Sequence, residues 1–110
     1  MKVSSDGETE GVEIAPGRRR RILHTENLMM AVIDFEDGPA KKPDPPHTHP
    51  HEQVTFVAHG ELLFFIGGES RRLGPGDMVA VGPDMPHAIQ LLTKRARLVD
   101  TFTPLRREFL

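Results

Sequence analysis

The sequence predicts an all-β domain, and two observations predict it. Ten glycines and ten prolines fall at intervals between short apolar runs, which is the spacing of strands joined by tight turns in a sandwich or barrel. No stretch shows helical periodicity with caps at its ends. At 110 residues the chain suits one domain, large enough to bury a core without disulfides or a structural metal.

The elements follow in order. Residues 1–11 are polar and read as a flexible tail, with residues 12–110 as the domain. A strand pair is expected at Arg18–His24 and Leu28–Phe35, split by a turn near Glu26-Asn27. A proline-rich loop runs from Pro39 to Pro46, where few residues can join a ladder. Further strands are expected at His49–Ala58, Glu61–Ile66, Ser70–Leu73, Met78–Val81, Ala88–Thr93 and Ala96–Thr103. Between them lie His59-Gly60, Gly67-Gly68, Gly74-Pro75-Gly76, Gly82-Pro83-Asp84 and Thr93-Lys94, all turn-forming combinations.

Composition narrows the function. The formal net charge of -2 gives no basic field for nucleic acid. The absence of cysteine excludes disulfides and thiolate metal sites and agrees with a reducing compartment. The first ten residues hold no apolar segment of a secretory signal. No apolar run approaches the ~20 residues of a membrane helix. The expectation is a soluble cytoplasmic protein.

The histidines carry the chemistry. His47-Thr48-His49 places two imidazoles at i and i+2, and on a strand these would share a face. Gln53 continues that parity if Pro50 leaves the register intact. His87 arrives from far along the chain, after Pro83-Asp84-Met85-Pro86. Neutral imidazoles gathered around one point make sense when they share a cation. Glu52 becomes the fourth ligand if the register slips by one, but strand alternation and the spacing to Gly60 favour Gln53. His51 reads as a pocket wall or a support for the ligands. His24 and His59 read as solvated turn residues, and Arg18–Arg21 as a solvated strand edge in preference to a polyanion patch.

The C-terminal strand adds a second signal. Leu98, Asp100 and Phe102 alternate and share a face. A carboxylate between apolar neighbours is either exposed or set in a cavity, where burial raises its pKa into the range useful for proton transfer. Arg106 and Arg107 follow Pro104, and one of them could grip a carboxylate at the barrel mouth.

The pattern Gly38…His47-Thr48-His49…Gln53…Gly60, then Gly76-Asp77…Pro83…Pro86-His87, resembles the two motifs of the cupins, with fifteen residues between Gly60 and Gly76. That implies a jelly-roll barrel, the double-stranded β-helix. Four positions depart from the pattern: Gln53 stands for the usual glutamate, Leu91 for the final asparagine, and Gly82 and Asp84 for a proline and a glycine. With Gln53, no anion in the ligand set offsets the metal's charge, so the site should welcome an anionic ligand. The donors suit Zn, Ni, Fe, Mn or Cu better than Ca or Mg.

Within the cupins, the run His47–Gln53 together with the ending Asp100–Leu110 looks like the small pectin-degradation-type proteins, which convert 4,5-unsaturated monouronates to their linear keto form. The resemblance implies that His47, His49, Gln53 and His87 bind the metal, that Asp100 is the catalytic acid/base, and that Arg106 binds substrate. The expected function is a metal-dependent ring-opening tautomerase acting on a small sugar acid. The alternatives are a cupin dioxygenase and a metabolite-binding module without activity. A homodimer is also expected. Leu62-Leu63-Phe64-Phe65-Ile66 is apolar at every position. Val54, Phe56, Met29 and Met30 put further apolar groups on both faces of their strands, more than one small barrel can bury.

Overall fold

A computed structural model describes all of residues 1–110. Nine strands appear in order: β1 Val12–Ala15, β2 Arg18–His24, β3 Met29–Phe35, β4 Glu52–His59, β5 Leu62–Ile66, β6 Glu69–Leu73, β7 Met78–Val81, β8 His87–Leu91 and β9 Ala96–Thr103. A 3-10 turn, Arg107–Phe109, follows. The strands form a six-stranded sheet, β1-β2-β3-β9-β4-β7, and a three-stranded sheet, β6-β5-β8. All pairings between strands are antiparallel. This is the single-domain jelly-roll barrel that the turn spacing and motifs predict. No helix is long and apolar enough to cross a membrane.

Alternation builds the interior. Along β9, Ala96, Leu98, Asp100 and Phe102 are buried and the residues between them are half-exposed. Gln53, Thr55 and Val57 do the same on β4. The apolar members fall into two clusters. The larger joins Phe35, Val57, Leu62, Phe64, Leu73, Val81, Leu91, Ala96 and Leu98 from both sheets. The smaller joins Met29, Ala31, Phe102 and Leu105, with Ile22 and Phe109 against it. Each large side chain so buried contributes roughly 1.5–3 kcal/mol of hydrophobic stabilisation. Gly60 sits at φ +81, and a Cβ there would collide with the backbone of Arg95 and Ala96. Only glycine lets β4 turn so close to β9.

Four expectations need correction. Strand β4 begins at Glu52, not His49, because Pro50 offers no N–H to a ladder. His47 and His49 therefore lie on an extended loop, pinned where His47 and His87 exchange both backbone hydrogen bonds, each at 3.0 Å. Strand β1 escapes sequence reading because three of its four residues are exposed and none is buried. Strand β2 is no edge: it lies between β1 and β3, with Arg18 and Arg20 half-buried. Finally, none of Leu62–Ile66 is exposed. The exposed apolar groups sit instead on the outer face of the larger sheet. There Leu23, Met30, Thr101 and Val54 stand side by side, with Val32, Val99, Phe56 and Met78 in the next row.

The polar N-terminal residues 1–11 contain no strand. Asp6 accepts two hydrogen bonds from Arg97, at 3.1 and 3.0 Å, and Ser4 Oγ accepts one from Arg21 at 2.9 Å.

Candidate metal centre

His47, His49 and His87 come together, with one ring nitrogen from each lying within 4.8 Å of the others. The ring centroids are 4.1 Å apart for His47–His87 and 4.9 Å for His49–His87. The backbone sets the direction of two rings. His87 Nδ1–H donates to the Met85 carbonyl at 2.9 Å and His49 Nδ1–H to the His51 carbonyl at 3.1 Å. In each ring this leaves the Nε2 lone pair free.

Two features show that the cluster fits a cation. His87 Nε2 is buried and has no hydrogen-bond partner, which is rare for a polar atom away from water. His49 Nε2 faces Gln53 Oε1 at 3.0 Å, so that two acceptors oppose each other once Nδ1 carries the proton. A positive ion between them turns both contacts into bonds.

Gln53 is held in this orientation from behind. Its Nε2 donates to Thr55 Oγ1 at 2.8 Å, and Thr55 Oγ1 donates to Asp100 Oδ1 at 2.6 Å. Thr55 and Asp100 are directly opposite each other on β4 and β9. With its amide nitrogen engaged, Gln53 presents its carbonyl oxygen to the histidines. Neighbouring Glu52 is exposed, so the register holds without a slip.

The electrostatics agree. His47 is the exposed member of the cluster, yet partial desolvation of its ring, then the charge of His87 and of Arg106, pushes the imidazole down to about 4. His87 is lowered chiefly by burial as well. Both rings are neutral at pH 7, the state a metal requires. Burial raises Asp100 to about 6, although the Thr55 hydrogen bond and Arg106 pull the other way.

Asp100 lines a cavity of about 180 Å3 with His47, Gln53, Thr55, His87 and Arg106. Arg106 donates from Nε to Glu108 at 2.9 Å and is mostly buried, whereas Arg107 is exposed. His51 supports the ligand loop: it is buried, Nε2–H donates to the Leu105 carbonyl at 3.1 Å, and its own carbonyl holds His49. His59 is exposed, while His24 is half-buried and bonded to the Thr25 carbonyl at 2.8 Å. Among the cavity residues that sequence reading passed over are Thr55, Arg20 and Phe109. Thr55 shares Gln53's parity and was there to be found by alternation. Arg20 shares the parity of Ile22, but the surrounding arginines mask it.

Comparison with known proteins agrees with the fold. Residues 32–102 match the family model for the cupin domain. The chain is 35% identical over 107 residues to the pectin degradation protein KdgF of Dickeya dadantii, covering 96% of this chain and 94% of that protein. The solved structure of KdgF from a Halomonas species superposes with a TM-score of 0.87 at 30% identity, over 96% of this chain and 97% of that one. An RmlC-like cupin from Shewanella frigidimarina gives a TM-score of 0.87 at 32% identity, over 100% and 97%.

Proposed function

The chain belongs to the cupin domain family as a homologue of KdgF, and from that premise we propose that it is a metal-dependent tautomerase opening the ring of a 4,5-unsaturated uronate or a related small sugar acid. One observation carries this reading: a buried carboxylate, Asp100, shares one small cavity with the inward lone pairs of the histidine cluster. His47, His49, His87 and Gln53 are the residues that would hold one divalent transition metal. When bound, the ion supplies Lewis-acid polarisation of substrate oxygens.

The chain's own groups do the rest. Arg106, steadied at Nε by Glu108, keeps both terminal nitrogens for the substrate carboxylate. Asp100, raised to about 6, exchanges a proton readily near neutral pH. An isomerisation conserves atoms, so one carboxyl can take the proton released from the hydroxyl at ring opening and return it to the carbon that becomes saturated. The walls of Ile33, Phe64 and Leu98 keep the site poor in water.

The working unit in this reading is a homodimer joined through the outer face of the larger sheet, whose exposed Leu23, Met30, Val54, Phe56 and Met78 form the kind of patch monomers rarely leave bare. Light scattering that returns the monomer mass of 12.3 kDa at micromolar concentration overturns this.

The deciding experiment mixes metal-loaded protein with unsaturated galacturonate and follows the enol-ether absorbance. Loss of absorbance without oxygen uptake supports the tautomerase, and consumption of oxygen supports a dioxygenase. Tight binding without product leaves a binding module. In parallel, His49→Ala should lose most of its metal by elemental analysis, and full occupancy in that variant would remove the metal assignment.

A further inference from the structure

Arg18 and Arg20 project from the same inward face of β2, and their surroundings differ. Arg18 donates from Nε to Asp37 at 3.0 Å and from its two terminal nitrogens to Asp44 at 2.7 and 3.1 Å. Its charge and geometry are fully used. Arg20 lines the same cavity with no hydrogen-bonded or ion-paired acceptor. Instead its guanidinium lies 3.6 Å from the centre of the Phe109 ring. Arg106 rests on that ring too, at 4.2 Å.

A half-buried guanidinium without an acceptor is costly, and a second one nearby makes it more so. Of the nearby carboxylates, Glu108 is bonded to Arg106 and Asp100, in the same cavity, accepts from Thr55, so neither is bonded to Arg20. The cavity therefore holds one guanidinium, that of Arg20, with no carboxylate bonded to it. Stacking on an aromatic face leaves the N–H edge of a guanidinium free, so Arg20 keeps its donor fork available while it rests on the ring that Arg106 also contacts.

We infer that Arg20 and Arg106 together form a carboxylate subsite at the cavity mouth, with Phe109 as the ring on which both guanidiniums rest. Arg20 is thus a specificity-determining residue. It selects small monocarboxylates over neutral sugars of the same shape, because a carboxylate supplies the charged acceptor that Arg20 lacks. The inference rests on the proposed action on sugar acids, but it is tested separately.

The test measures galacturonate binding to the metal-loaded protein by calorimetry. Arg20→Gln should weaken binding by about tenfold or more, the loss expected for a charge-assisted fork. Arg20→Lys should recover part of it. Arg19→Gln, which removes the same charge from the exposed outer face of the same strand, should bind as the parent does. Equal loss in the Arg19 and Arg20 variants would show only a long-range field and would overturn the subsite. So would parent-like binding by Arg20→Gln, or a parent protein that does not bind galacturonate. Turnover of unsaturated galacturonate judges the other reading independently. Activity insensitive to Arg20 leaves the tautomerase standing without this subsite. Arg20-dependent binding without turnover leaves the subsite standing without the tautomerase.

Discussion

The two ends of the barrel interior are built from the same strands but filled with opposite chemistry. On β9, Ala96 and Leu98 belong to the large apolar cluster, while Asp100, one alternation further, faces the cavity. On β4 the change falls between Val57 and Thr55. Backbone, register and burial continue unbroken across the boundary, and only the side chains change. The lesson is a division of labour. The apolar end holds the sheets together and lets the other end keep groups that stability alone would reject: a raised carboxyl, an imidazole nitrogen without a partner and a guanidinium without an acceptor.

If the division is real, substitutions at each end should fail in different ways. The largest effect belongs to Asp100→Asn. Turnover on a verified substrate should fall ~10²–10⁴-fold, as for loss of a general acid/base, with metal content unchanged. Parent-rate turnover would remove Asp100 from the chemistry. Next comes Leu62→Ala at the apolar end, where Leu62 is fully buried. Denaturant unfolding should show a loss of about 2–5 kcal/mol, with metal stoichiometry of the folded fraction intact. Loss of metal there would mean that the ends are not separable.

A smaller effect sharpens the contrast through pH. The folded Asp100 carboxyl is raised from 3.8 to about 6, so its favourable contribution is complete below the unfolded value and disappears as pH rises through about 6. The shift corresponds to about 3 kcal/mol. His47, lowered to about 4, slopes the other way over an overlapping range, so the metal-free parent alone does not isolate Asp100. The difference between parent and Asp100→Asn does. The variant should gain stability relative to the parent between pH 4 and pH 7, and a pH-independent difference would contradict the burial argument. The smallest effect is at Asp84, whose φ is +59 and whose N–H bonds the His49 carbonyl at 2.8 Å. Asp84→Gly should be tolerated, while Asp84→Ala should cost about 1 kcal/mol in thermal unfolding.

Much of the apolar end was legible in the sequence because alternation and turn residues report burial directly. The β2–β3 pair, β7 and β9 are where the apolar runs and glycines indicate. At the cavity end, residue types were legible and placement was less so. His47 and His49 converge although they are not on a strand, because a backbone bridge to His87 does the work assigned to strand parity. Asp84 occupies a left-handed position where glycine is usual in the motif, and aspartate is among the few residues that adopt it. Arg20 was hidden by its neighbours: four consecutive arginines look like a solvated surface, and only strand pairing shows that Arg18 and Arg20 face inward. Phe109 was unreadable for another reason. Its role depends on where the chain returns after Pro104, and no local pattern encodes that.

The bridge between His47 and His87 has a thermodynamic reach beyond the site. These residues are forty positions apart and meet only when the two sheets have closed. Any ion that prefers the assembled cluster therefore binds the native chain and ignores the denatured one. Its concentration becomes a stability variable: at about a thousandfold above the dissociation constant, linkage adds roughly 4 kcal/mol, comparable to a large core side chain. For this barrel, the supply of metal in its surroundings would set how stable the fold is.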